Sequence, residues 1–251
     1  MADAKAAVAK SVYAMENISP ILHTDIEFAK YAISCDPHAF SFMSPEFQDN
    51  EGLAITAVRG CGILLRDVSP RLAGNLEVAL VACKGAGEAL MYAAENSRDD
   101  VRVVSAAVRS YGGALAYASD RLRDDTKVVT VAVSKCGYAL EFASDRLRDD
   151  PIIVSKALAL GWSIMFASPR LKNDGGIIML AMETCEDALK FAGNTPRADP
   201  AVVMHAVSKN GRMLEYATEE LRGDYDICTA AVAQIIDAVL FVSPEIQSLH
   251  L

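Results

Sequence analysis

The chain has 251 residues, 52% of them hydrophobic and 23% charged, a balance that gives ample material for a buried core and excludes a disordered chain or a coiled-coil rod. Twenty-four Lys and Arg against 33 Asp and Glu give a net charge of −9 and a pI near 5.0, which works against non-specific attraction to nucleic acid or to an anionic membrane. Mean hydropathy is high at +0.19, yet no stretch approaches the roughly 18 uninterrupted apolar residues of a spanning helix.

The N-terminal segment carries Asp3 and Glu16 and lacks the apolar block of a secretory signal. It also falls into register with a repeat, so the expectation is an uncleaved, soluble chain, cytoplasmic by default. The repeat is anchored by SDRLRDD at Ser119 to Asp125 and again at Ser144 to Asp150, followed by SPRLKND at Ser168 to Asp174. Extending these spacings of 25 and 24 tiles the chain as ten units: 1-25, 26-50, 51-75, 76-100, 101-125, 126-150, 151-174, 175-199, 200-224 and 225-249.

Each unit opens on a helical pattern. Positions 3 and 4 are mostly Val, Ile, Leu or Ala and position 8 is always apolar, and with position 7 they form one stripe at a period near 3.6. Position 7 is alanine in all ten units: Ala7, Ala32, Ala57, Ala82, Ala107, Ala132, Ala157, Ala181, Ala206 and Ala231. An invariant small residue marks a close approach of neighbouring backbones, so Ala132→Leu is expected to overpack the stack at a cost of roughly 1-3 kcal/mol. Six units then place glycine at the turn (Gly62, Gly87, Gly112, Gly137, Gly161 and Gly211), where a left-handed residue closes the helix without a Cβ penalty.

A shorter second helix follows, and eight units carry an aromatic on it: Phe42, Tyr92, Tyr117, Phe142, Phe166, Phe191, Tyr216 and Phe241. These rings are expected to be the main large core residues. Serine precedes proline at Ser19, Ser44, Ser69, Ser168 and Ser243, an N-cap and first-turn signal for a short helix that a Leu, Phe or Ile anchors. The recurrence favours capping over proline-directed phosphorylation. A closing Asp or Asn then caps the next first helix.

A unit of this size cannot bury its own apolar face, so stacking must do it. Neighbouring helices about 8–10 Å apart predict one elongated, right-handed or curved α-solenoid over residues 1-251 with no sheet. The pattern DDxxVVxxAVxxxGxALxxASxxLRDD, nearest in Asp125 to Asp150 (DTKVVTVAVSKCGYALEFASDRLRDD), resembles the short tandem repeat called domain of unknown function 4116. The resemblance runs over nearly the whole chain, more weakly at 1-50 and 175-199. It implies an all-helical repeat array and brings no catalytic residues with it.

Little breaks the periodicity. His23, His38, His205 and His250 lie in separate units, and Cys35, Cys61, Cys83, Cys136, Cys185 and Cys228 form no CxxC pair, so neither metal nor cofactor is expected and the thiols read as buried and free. Cys35 and Cys61, in adjacent units, are the one pair worth testing for proximity. No glycine-rich phosphate loop is present. Gly175-Gly176, the densest turn signal, adjoins the short unit that holds the only tryptophan, Trp162. A packing defect filled by Trp is the leading reading there, with a partner pocket as the alternative.

Arg121, Arg123, Arg146, Arg148, Arg170 and Lys172 form a basic series among the carboxylates of Asp120, Asp124, Asp145 and Asp149. It reads as an ion-paired edge or as a ladder that holds acidic or phosphate groups of a partner. Phe241, Val242, Ile246, Leu249 and Leu251 read as an uncovered apolar end. The expected function is a non-catalytic protein-interaction scaffold or a structural subunit of a larger assembly, with unidentified protein partners. An enzyme or small-molecule binder with a concave pocket ranks second, and modular RNA binding third, because the charge is acidic and the aromatics follow the core register.

Overall fold

The structure, a computed structural model, describes residues 1–248. Among the described residues every regular element is helical and there is no strand. None of their helices is long and apolar enough to cross a membrane. The residues gather into two compact bodies divided between Lys135 and Cys136.

The unit beginning at Val101 shows the regular pattern. Asp100 caps its first helix, Val101–Ser110, accepting from the backbone N–H of Arg102 at 2.9 Å and of Val103 at 3.2 Å. These are donors that the first turn leaves without an internal partner. Val103, Val104, Ala107 and Val108 are buried, the stripe set by positions 3, 4, 7 and 8. The extended Tyr111 ends the helix, its N–H bonding the Ala107 carbonyl. The second segment, Gly112–Tyr117, is a 3-10 helix rather than an α-helix, and Ser119 caps the one-turn helix Asp120–Arg123 through the Leu122 N–H at 3.3 Å.

The 3-10 form has a reason in the residues. Its turn repeats every three residues, and Gly112, Leu115 and Ala118, three apart, are all buried. The same triplet recurs as Gly87, Leu90 and Ala93, and in the second body as Gly137, Leu140 and Ala143 and as Gly211, Leu214 and Ala217. Each fully buried leucine contributes about 1.5–3 kcal/mol relative to an exposed one.

The turn glycines do not take the left-handed conformation expected of them. Among the described glycines only Gly161 does, with φ 101°. Four of the other turn glycines are fixed by their neighbours. A Cβ at Gly62 would collide with the Ala82 carbonyl oxygen, one at Gly87 with that of Ala107, one at Gly137 with that of Ala157, and one at Gly211 with that of Ala231. The glycine of one unit therefore faces the invariant alanine of the next, where the two backbones meet. Ala32, Ala57, Ala82, Ala107, Ala132, Ala157, Ala181, Ala206 and Ala231 are fully buried.

A second correction concerns the aromatics. All eight are half-buried, whereas the large, fully buried side chains are led by Phe28, Phe40, Met15 and leucines such as Leu115, Leu122, Leu140 and Leu147. The rings sit at the rim of the core. Tyr138 and Phe166 meet edge-to-face at 5.3 Å, and Arg197 lies 5.7 Å from the Tyr216 ring.

Candidate functional site

The basic series is engaged inside the protein. Ser69 donates to the Asp49 carboxylate of the preceding unit, while Arg71 Nε donates to the same group at 3.0 Å and its Nη2 to the Asp49 carbonyl at 2.7 Å. Ser119 and Arg121 grip Asp99 in the same way, with Arg121 Nε at 3.0 Å. In the second body Ser168 and Arg170 grip Asp149, with Nε at 2.9 Å and Nη2 on the Asp149 carbonyl at 2.6 Å. The serine hydroxyl, and then the guanidinium, hold each carboxyl below its ordinary value. Arginine's planar fork suits this grip on a carboxylate and its own carbonyl. Asp124, Ser144 and Arg146 each have an interaction of their own.

A backbone bond runs alongside each clamp. The N–H of Ser69, Ala94 and Ser119 donates to the carbonyl of Gln48, Ala73 and Arg98, and in the second body that of Ser168, Gly193, Thr218 and Ser243 donates to Arg148, Lys172, Arg197 and Arg222. The remaining bases close exposed carbonyl ends. Arg148 Nε donates to the Phe166 carbonyl at 2.7 Å, Lys172 Nζ to that of Met165 at 2.7 Å, and Arg222 Nε to that of Phe241 at 2.6 Å. Arg123 pairs with Asp120. Burial, and after it the like charge of Arg148, pulls the Lys172 amine below its ordinary value.

Trp162 does not fill a core void, being 47% exposed. The short unit loses its residue between helix and 3-10 segment: the helix stops at Leu158 and the chain turns through Gly161 before the 3-10 segment Ser163–Phe166. Ser163 is buried there and donates to the Ala157 carbonyl at 3.2 Å. Gly175 and Gly176 form no turn and instead open the next helix, Gly175–Ala181, under the Asp174 cap. That helix is also short. Glu186 occupies the position where regular units have their close-packed glycine, and residues 182–187 form an irregular turn in place of the missing helical one.

Trp162 and this turn border an open hollow of about 400 Å³, lined also by Thr184, Cys185, Glu186, Asp187 and Asn210. Asn210 Nδ2 donates to Asp187 at 2.9 Å and the Thr184 hydroxyl to the Leu158 carbonyl at 2.7 Å. Burial, together with the charges of Asp187 and Glu186, pushes the Cys185 thiol up. Beside the hollow, Lys209 Nζ lies 2.9 Å from Glu183 and 3.2 Å from the Met182 carbonyl, and His205 Nε2 is 3.4 Å from Glu183.

The apolar end differs from its expected composition. Val242 is buried, Phe241 and Ile246 are half-buried, and Leu249 and Leu251 lie outside the described residues. The exposed apolar side chains there are Ile236 at 77% and Leu240 at 73%. All six cysteines are free, but only Cys83, Cys185 and Cys228 are buried, and Cys35 is exposed. Burial pushes the Cys83 thiol up to about 12. Among the described residues no three His, Cys, Asp or Glu side chains are placed to share a metal ion. Of the Ser-Pro serines, Ser69 and Ser168 cap their helices through Oγ, while Ser19, Ser44 and Ser243 make no side-chain cap.

Comparison with curated proteins finds no match, and comparison with solved structures finds none. The family model of the domain of unknown function (DUF4116) matches at residues 100–148, 127–160 and 199–247, which together fall short of half the chain. The unit geometry extends further, into the helix, 3-10 and one-turn segments of residues 51–98. The chain carries tandem helical repeats that resemble the domain of unknown function (DUF4116).

Proposed function

We propose that the ten units stack in chain order into an α-solenoid, and that the protein is a non-catalytic scaffold or structural subunit that holds another protein along a repeated exposed face. One observation carries this reading. The positions that recur between units are spent on burial, caps and clamps, while the exposed position on the 3-10 segment changes chemistry from unit to unit: Arg66, Met91, Glu141, Lys190, Glu215 and Leu240. A regular frame with varied outward side chains supports extended protein recognition, since each unit adds contact area without new chemistry.

Two measurements test it. Solution scattering is expected to give a radius of gyration well above the about 18 Å of a compact globule of this length, and a value near that figure rejects the solenoid. Cross-linking mass spectrometry on the protein isolated with its partner is expected to join one protein to Lys84, Lys135, Lys156 and Lys190, which lie in four different units. Links confined to one unit, or recovery of a metabolite alone, reject the scaffold. A second reading, a small-molecule binder, is favoured by the hollow beside Trp162.

A further inference from the structure

The Trp162 hollow stands where two consecutive units leave the repeat. The one tryptophan of the chain is half-exposed there, although a ring of that size ordinarily buries most of its surface.

The polar lining has one sign. Glu186 and Asp187 contribute carboxylates, Thr184 and Asn210 are neutral, and no basic side chain lines the hollow. The Asp187 carboxylate accepts from the neutral amide of Asn210, which brings no opposite charge. Glu186 is exposed and makes no hydrogen bond or ion pair among them. Lys209, adjacent to Asn210, is taken up by Glu183 and the Met182 carbonyl. Cys185 lies between Thr184 and Glu186, and burial first, then the charges of Asp187 and Glu186, push its thiol up.

An indole beside unneutralised carboxylates attracts a soft, weakly hydrated cation. The ring quadrupole favours the charge, and the indole face accepts its methyl or methylene groups. We propose that the hollow beside Trp162 binds an organic cation, an alkylammonium or guanidinium group, with Trp162 as its aromatic wall and Glu186 and Asp187 as its counter-charges. The site does not rest on the scaffold reading, because a free cation and a basic side chain of a partner offer the same group.

Trp162 is its own reporter, since no other tryptophan contributes to the fluorescence. The intact protein is titrated with tetramethylammonium chloride, with arginine amide, and with a capped tripeptide that has a central arginine, each against potassium chloride at matched ionic strength. A saturable change in Trp162 emission is expected with the organic cations and not with potassium. Glu186→Gln, whose side chain is solvent-facing, is expected to weaken binding by about three- to tenfold with an unchanged thermal midpoint. Trp162→Phe, followed by calorimetry, is expected to weaken it several-fold. A tripeptide at least tenfold tighter than arginine amide assigns the cation to a peptide, and equal affinities assign it to a small molecule. A response shared equally by potassium, or one undiminished in both variants, overturns the proposal.

Discussion

The unit at Val101 and the two units between Pro151 and Asp199 are built from the same kind of sequence and diverge first at the turn edge. In the first, a ten-residue helix meets a six-residue 3-10 segment at Gly112. In the others, helices of eight and seven residues meet 3-10 segments of four. Yet the clamp of Ser168 and Arg170 on Asp149 keeps the geometry of Ser119 and Arg121 on Asp99. A unit thus has two edges under separate control. Glycine against alanine sets the turn edge, and Asp, Ser and Arg set the clamp edge, so the deletion in the unit of Trp162 disturbs one and spares the other, whereas the unit of Glu186 also exchanges its clamp for a neutral pair, Asn173 with Thr195.

The turn edge is where this comparison breaks most readily. Gly87→Val puts a side chain against the Ala107 carbonyl and Tyr111, and is expected to cost about 3 kcal/mol, read as a lowered thermal midpoint by calorimetry. Ala132→Leu enlarges a fully buried residue and is expected to cost about 2 kcal/mol, seen as an earlier transition in urea. A smaller effect is expected at Gly161, where a Cβ meets nothing within 4 Å and only the φ of 101° resists it. Gly161→Ala is therefore expected to cost about 1 kcal/mol with no change in helix content by circular dichroism. A loss at Gly161 as large as that at Gly87 would erase the distinction between steric and backbone causes.

The clamp edge gives the smallest effect, because its groups are exposed and solvent-screened. Asp49, Asp99 and Asp149 have folded-state pKa values below their ordinary value near 3.8. Their contribution is present above the unfolded pKa and is lost as pH falls through the folded one, so it fades below about pH 4. Comparing thermal midpoints at pH 7 and pH 3, the protein with all three changed to Asn is expected to lose less on acidification than the parent. An equal loss in both would remove the clamps from the acid response.

The parts that were legible in the sequence are those governed by one unit alone. The apolar stripe of positions 3, 4, 7 and 8 follows from helical period, and caps such as Asn75, Asp100 and Asp199 follow from their place before it. The 3-10 segments left a signal in the three-residue spacing of Gly137, Leu140 and Ala143, too brief to stand apart from an α-helical pattern. What needed two units stayed hidden. The purpose of Gly87 depends on the Ala107 carbonyl, and the choice between a free basic ladder and an internal one depends on Arg121 finding Asp99 22 residues earlier. Trp162 was misplaced for a related reason: size and apolarity favour burial, but the missing residue of its unit left the ring at the surface.

The clamp joins residues 20 and 22 apart in a 25-residue unit, and this arithmetic bears on how such a gene can change length. Excising Val101 to Asp125 would place Ser144 and Arg146 at those same separations from Asp99, with the backbone bond and the glycine–alanine meeting restored in step. Whole-unit gains and losses by unequal recombination leave every surviving partner in register, whereas a single-residue slip is written permanently into one turn, as it is beside Trp162.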